Sequence, residues 1–273
     1  MKVLIGFLFL FSISLTFSQL YTPGSGVSDI DGNNYPTINI NGQEWMAENL
    51  RTTTYANGNP IPNVTDSAQW SSLTTGAWTH YNNDNQYENP YGKLYNWYTV
   101  ADTRNVCPTG WHVPTDAEYT LLTDYLGGEP VAGGKMKEAG TSNWASPNTG
   151  ATNSSGFTGL PGGYLNGEFI FLGISAFGYW WSSSAESNIS YYAWSRRLDF
   201  INGEALRADY TKQEGLSVRC MRESTSGLNL INPSQKKLVK ILNIMGQETT
   251  VKTNEILFYL FDDGSIERKI TVD

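Results

Sequence analysis

The chain holds only two cysteines and two histidines, and their placement narrows the chemistry open to it. Cys107 begins the run Cys107-Pro-Thr-Gly-Trp-His-Val-Pro-Thr-Asp-Ala-Glu118, and Cys220 stands in the distant Ser217-Val-Arg-Cys-Met-Arg222. His80 and His112 are far apart, with no cysteine or carboxylate at ligand spacing, whereas structural zinc takes about four nitrogen or sulfur ligands. His112, within Trp-His-Val-Pro, is expected to be packed and hydrogen-bonded. Calcium stays open, because hard cations accept carboxylate, amide and backbone oxygens in flexible arrangements. Asn188, Asp199, Asn202 and Glu204 are the candidate ligands, although their spacing matches no calcium motif and a solvated loop is the plainer expectation. Asp29-x-Asp31-Gly-Asn33 resembles the start of a calcium loop but lacks the later acidic ligand, so a turn is expected there.

No catalytic residue is assigned. The chain has no Gly-x-Ser-x-Gly elbow, and the paired carboxylates of glycoside hydrolysis, about 5–10 Å apart, can be found in any acidic sequence. Binding has better grounds. The chain carries 9 Trp, 16 Tyr and 11 Phe, and rings with a polar edge suit protein interfaces and sugar faces alike. Tyr179, Trp181, Tyr192 and Trp194 are the candidate ligand-binding residues. The same four also fit a core, since successive strand residues face opposite ways.

These residues must be positioned by short elements. Asp31-Gly32 and Asn41-Gly42 sit between alternating apolar residues, the strongest short-range hairpin signal. Residues 51–90 are turn-rich but interleaved with Trp70, Trp78, Tyr81 and Tyr87, so they are expected to be ordered loops. Residues 91–101 gather apolar side chains and predict a helix or a short buried segment. The clearest helix starts after Pro114: Thr115 and Glu118 have capping-box spacing, Ala117, Leu121, Leu122 and Tyr125 share a face, and Gly127-Gly128 ends it. A second, weaker helix is expected over 134–138. Strands are expected at 156–164, 167–172, 179–184, 191–198 and 216–221, giving an α+β class.

The ends suggest export. Met1-Lys2 followed by the uncharged apolar stretch Val3–Phe17 and then Ser18-Gln19 has the form of a secretory signal peptide over residues 1–19, whose apolar core spans about 7–15 residues. The stretch is short of the ~20 residues of a spanning helix, so no transmembrane segment is expected after cleavage. In an oxidising compartment, two cysteines favour a disulfide over a metal site, with two separately buried thiols as the alternative. Formal net charge is −8 and basic residues do not cluster over the body of the chain, which excludes a nucleic-acid partner. Residues 20–27 form a leader, 28–223 one domain and 224–235 a polar linker. Residues 236–273 form a small β unit with a turn at Asp263-Gly264.

Six segments in order, Trp45-Met-Ala-Glu-Asn-Leu50, Tyr91-Gly-Lys-Leu-Tyr-Asn-Trp97, Cys107-Pro-Thr-Gly-Trp-His-Val-Pro114, Gly159-Leu-Pro-Gly-Gly163, Trp181-Ser-Ser-Ser184 and Ser217-Val-Arg-Cys220, resemble the Fibrobacter succinogenes major paralogous (FISUMP) domain. The resemblance implies a C-type-lectin-like fold with short helices, a twisted antiparallel sheet, long loops and a long disulfide, a place that Cys107 and Cys220 fit. It carries no activity. Formylglycine-generating enzymes share that fold but rely on neighbouring cysteines, which this chain lacks. Lys236–Asp273 is similar to the C-terminal sorting domain of the Bacteroidota type IX secretion system, which implies the secretion machinery as a partner and a secreted or outer-cell-surface location. The expectation is a non-enzymatic binding module for glycan or surface protein. A polymer-degrading enzyme and a structural surface-coat module are the alternatives.

Overall fold

The computed structural model describes residues 19–224, 238–243, 246–250, 256–261 and 266–270. The expected signal peptide, the linker and the Asp263-Gly264 turn therefore lie almost wholly or wholly outside the described residues. The chain divides into two compact units, Met1–Ser224 and Thr225–Asp273.

The first unit is mixed α and β, with few short helices and curled, mainly antiparallel sheets. Asn41 and Gly42 both take positive φ, 49° and 77°, which is what a two-residue turn matching strand twist requires. They join Thr37–Ile40 to Gln43–Met46. Thr22–Pro23 pairs outside the first of these strands, and Met221–Glu223 pairs outside the second. The end of the domain thus returns to its beginning. Around Asp31-Gly32 the expected turn forms, drawn in by Asp29: its carboxylate accepts from the Asp31 and Asn33 backbone amides, Asn33 Nδ2 and Tyr35 Oη.

A five-stranded sheet runs in the order Ala205–Thr211, Tyr192–Asp199, Phe177–Ala185, Gly162–Leu165, Phe171–Ile174. All its pairings are antiparallel except that of Phe177–Ala185 with Gly162–Leu165. One face buries Tyr179, Trp181, Tyr95, Val218 and the two half-cystines. The other buries Trp180 and Leu198 against Trp45, Tyr119, Leu122 and Phe157. Cys107 and Cys220 form a disulfide across 113 residues. In the chain-entropy model, closing a loop of that order stabilises the fold by roughly 4–5 kcal/mol. Beside it, His112 and Met221 exchange backbone hydrogen bonds of 2.9 Å in both directions.

The Asp116–Tyr125 helix has the expected Thr115–Glu118 capping box, but its inward face is different. Tyr119, Leu122 and Thr123 are buried, with Leu126 just beyond, whereas Leu121 and Tyr125 are 55% and 46% exposed. Apolar spacing fits two arcs of this helix about equally. The choice is made by tertiary partners: Tyr119 stacks on Trp45 at 5.1 Å, and Arg196 donates to Asp116 and Thr120. The second helix runs earlier than expected, over Glu129–Met136, with proline in its first turn. Its glycines mark close approach rather than a break. A Cβ at Gly133 would lie 1.9 Å from the Glu204 carbonyl oxygen, and one at Gly134 would lie 2.5 Å from that of Gly150.

Residues 91–101 split into Leu94–Tyr95, paired with Trp78–Thr79, and the short helix Trp97–Val100. In the second unit, Glu248–Thr249, Leu238–Leu242, Ile256–Phe261 and Ile266–Ile270 form a four-stranded antiparallel sheet in that order. Among the described residues no helix is long and apolar enough to cross a membrane.

Candidate functional site

An open cleft of about 650 Å³ is lined by Asn34, Glu48, Arg51, Asn85, Glu88 and Asn89. Every lining residue is polar. The elements that build it are short. Asn34 precedes buried Tyr35 in the pairing of Val27–Ser28 with Asn34–Tyr35. Glu48 and Arg51 follow the Gln43–Met46 strand; Asn85–Tyr87 is a 3-10 turn started by Asp84, whose carboxylate accepts from the Gln86 amide, and the Glu88–Tyr91 turn after it is broken by the extended Asn89. Burial fixes the neighbouring residues and leaves these six at the rim.

The charges in the cleft are held by their neighbours. Glu88 Oε2 accepts from His80 Nε2 at 2.6 Å and from Lys93 Nζ at 2.7 Å, while Glu48 Oε2 accepts from Arg51 at 2.6 Å. Rings stand behind the cations: Trp78 packs against Lys93 at 4.8 Å and against His80 at 5.1 Å, and Tyr35 lies under Arg51 at 4.7 Å. Burial alone would raise the Glu88 carboxyl, but the hydrogen bonds from Lys93 and His80 outweigh it and hold the group below the ordinary glutamate value.

The aromatic quartet read from the sequence does not converge. Tyr179 pairs with Arg197 and Trp181 with Ser195, so both share a sheet face with the odd-numbered residues of Tyr192–Asp199. Tyr192 and Trp194 project from the opposite face. Trp181 is 0% exposed and donates its indole N–H to the Tyr95 carbonyl; Tyr179 is 4% exposed. Trp194 is half-buried, with the Arg207 guanidinium 3.3 Å from its ring centroid. Tyr192 is half-buried beside Tyr191. The half-buried rings that do gather around Tyr179 are Tyr164, Phe177 and Tyr210.

Of the four residues suggested for calcium, Asp199 and Asn202 have engaged oxygens, whereas Asn188 bonds through its amide nitrogen and Glu204 is exposed. Lys137 reaches in from the end of its helix and donates to the backbone carbonyls of Asp199 and Asn202 at 2.7 Å and of Thr149 at 2.9 Å. Its ammonium thus sits among the carbonyls of that loop, with the Trp144 ring 5.4 Å away. Asp199 Oδ1 accepts from the Ile201 amide, Asn202 Oδ1 from the Glu204 amide, and Asn188 bonds Glu186. Among the described residues, no group of three or more His, Cys, Asp or Glu could hold a metal ion. His112 bonds Glu118 at 2.8 Å. That bond raises the imidazole's pKa, while the bonds from His112 and Thr115 overcome burial and bring Glu118 down to about 2.

The Fibrobacter succinogenes major domain model matches residues 38–222. The chain belongs to this family. The matched span holds Cys107, Cys220 and every cleft residue except Asn34. No curated protein and no solved structure matches the chain, so no relative lends this family member an activity.

The sequence reading missed the cleft. His80 was weighed only as a metal ligand, and Glu48, Glu88 and Lys93 belong to two of the family-like segments or lie beside them without forming a local motif. The one signal in the sequence is the run of asparagines around residues 82–89, of which the side chains of Asn85 and Asn89 are exposed.

Proposed function

We propose that the chain is an exported, non-enzymatic binding module with a C-type-lectin-like fold over residues 28–223. Residues 236–273 would serve as the sorting domain read by the type IX secretion machinery, giving a secreted or outer-cell-surface protein. The apolar amino-terminal stretch and the sequence of the tail support export. The observation that carries the binding reading is the cleft itself: an open, wholly polar surface whose charged groups are fixed in place before any ligand arrives. Preorganised groups lose less freedom on binding.

The degradative alternative has less support. Glu48 and Glu88 flank one cleft, but a glycosidase needs one carboxyl that keeps its proton near neutrality. Glu88 is held ionised instead, and its proton-donating neighbours are committed to it.

The test is an array of glycans and of isolated bacterial surface proteins probed with the full chain, with and without EDTA. Selective binding that survives EDTA is expected. A blank on both arrays would remove the binding reading in favour of a structural coat. Deleting residues 236–273 should leave the protein in the periplasm; normal secretion of the truncated chain would remove the sorting role.

A further inference from the structure

We propose that the cleft ligand is a neutral, hydroxyl-rich sugar ring, whose hydroxyls donate to Glu88 and exchange hydrogen bonds with the amides of Asn85 and Asn89 rather than stacking on an aromatic face; this rests on the binding reading above. Three features of the cleft select that class.

The first is charge. Both carboxylates that line the cleft are matched by a neighbouring cation, Glu48 by Arg51 and Glu88 by the buried Lys93. An anionic ligand would meet two carboxylates, and a cationic one would meet the Arg51 guanidinium with the buried Lys93 ammonium behind Glu88. A neutral ligand meets neither repulsion.

The second is the hydrogen-bonding capacity left over. Glu88 spends Oε2 on His80 and Lys93, while among the described residues no hydrogen bond engages its Oε1. The side chains of Asn85 and Asn89 are exposed and make no hydrogen bond within the described residues. Each amide offers a donor and an acceptor, and the free carboxylate oxygen is a strong acceptor. Vicinal hydroxyls, which both donate and accept, complement that set.

The third is the lack of apolar surface. Protein interfaces centre on aromatic and apolar residues with charge depleted at the middle, and the lining here has none. The nearby rings are already used: Tyr35 supports Arg51, and Trp78 supports Lys93 and His80. The smaller cavity of about 280 Å³ beside the disulfide shows the contrast, because Val27, Ile30, Val106 and Pro108 contribute to its wall. The cleft volume lies within the roughly 300–1,000 Å³ of small-ligand sites.

The experiment is a nuclear magnetic resonance titration of the ¹⁵N-labelled full chain. The probes are glucose, galactose and N-acetylglucosamine as neutral rings, glucuronate as the anion and glucosamine as the cation. Saturable shifts of the Asn85 and Asn89 side-chain amides with at least one neutral ring are expected, and weaker shifts with the charged ones. Glu88→Gln should weaken that binding about 10- to 100-fold, the loss expected for a hydrogen bond to a charged acceptor, with the spectrum otherwise unchanged. Asn85→Ala, at an exposed position, gives a second reading if the first variant misfolds. Tighter binding of the anion or cation than of every neutral ring overturns the ligand class. Sugar-dependent shifts confined to the Tyr164–Tyr210 face overturn the cleft assignment while leaving the binding reading intact. No response to any probe overturns the inference, and the protein array then decides whether the binding reading survives it.

Discussion

Arg219 and Lys137 are buried cations held by carbonyls, whereas Arg51 at the cleft and the buried Lys93 behind it are held by cleft carboxylates, and the two pairs differ in that chemistry. Arg219 is 0% exposed. It donates to Asn49 Oδ1 at 3.0 Å and to the carbonyls of Met46, Phe157 and Thr158, with Phe157 and Trp180 packed against its plane. Burial pushes its pKa down to about 9, so it stays charged at neutral pH. Lys137 is held by three carbonyls in the same manner. Neither has a carboxylate among its hydrogen-bond partners. Arg51 and Lys93 each have one, Glu48 and Glu88, and those acids reach the surface. Cations bound by carbonyls act as fasteners between segments far apart in sequence. At the cleft, the pairing of Arg51 and Lys93 with carboxylates leaves a neutral, ordered surface on which a ligand can be recognised.

The comparison breaks first at Arg219. Replacing Arg219 by Met should cost roughly 3–5 kcal/mol, because several buried acceptors lose their donor at about 1–3 kcal/mol each. Denaturant unfolding measures it, and a loss under about 1 kcal/mol would mean that water replaces the guanidinium and that Arg219 fastens nothing. Lys137→Met should cost less, about 2–4 kcal/mol, since its carbonyls belong to loops closer to solvent. In Lys137→Ala, added methylammonium should recover part of the melting temperature. If it does not, the ammonium is not what the carbonyls require.

How much of this was legible follows the same division. The capping box at Thr115, the Asn41-Gly42 turn, the cysteine pairing and the α+β class depend on residues near in sequence or on a count of two. The first two and the class could be read directly, whereas the cysteine count favours a pairing and leaves two buried thiols as the alternative. Arg219 stood within the quoted Ser217–Arg222 segment without revealing that it spans Met46, Asn49 and Thr158. The strand Ala205–Thr211 was not foreseen, because Ala205-Leu-Arg-Ala-Asp-Tyr alternates weakly. The quartet Tyr179, Trp181, Tyr192 and Trp194 could not be sorted from composition, since only register shows that two face one way and two the other. The cleft joins residues 34, 48–51 and 85–93, and no local pattern announces such a meeting.

Glu214 extends the comparison to a charge with neither kind of partner. Its Oε2 is buried without a hydrogen bond, and burial pushes its carboxyl up to about 7 against the bonds from Thr211. The folded protein therefore binds more protons than the unfolded chain between about 4.5 and 7, and stability falls as pH rises through that window. At roughly 1.4 kcal/mol per pH unit the full cost above pH 7 is at most about 3 kcal/mol. Glu214→Gln should raise the melting temperature at pH 8 and leave it nearly unchanged at pH 4. Equal effects at both values would mean that the carboxyl finds a partner in solution.

The smallest effect on stability is expected where the effect on binding is greatest. Lys93→Met removes one of two donors to Glu88; Lys93 is buried, but Glu88 is partly exposed and keeps its bond with His80, so the cost should stay at about 1 kcal/mol. The Glu88 pKa is lowered in the folded state, so its contribution is present above the ordinary glutamate value and is lost as pH falls through the folded one. Without Lys93 that loss should begin at higher pH, and ligand affinity measured across pH 4–7 should decline earlier than in the parent protein. A variant as unstable as Lys137→Met would place Lys93 among the fasteners. It would also leave the neutral balance of the cleft as a by-product of folding rather than a feature of recognition.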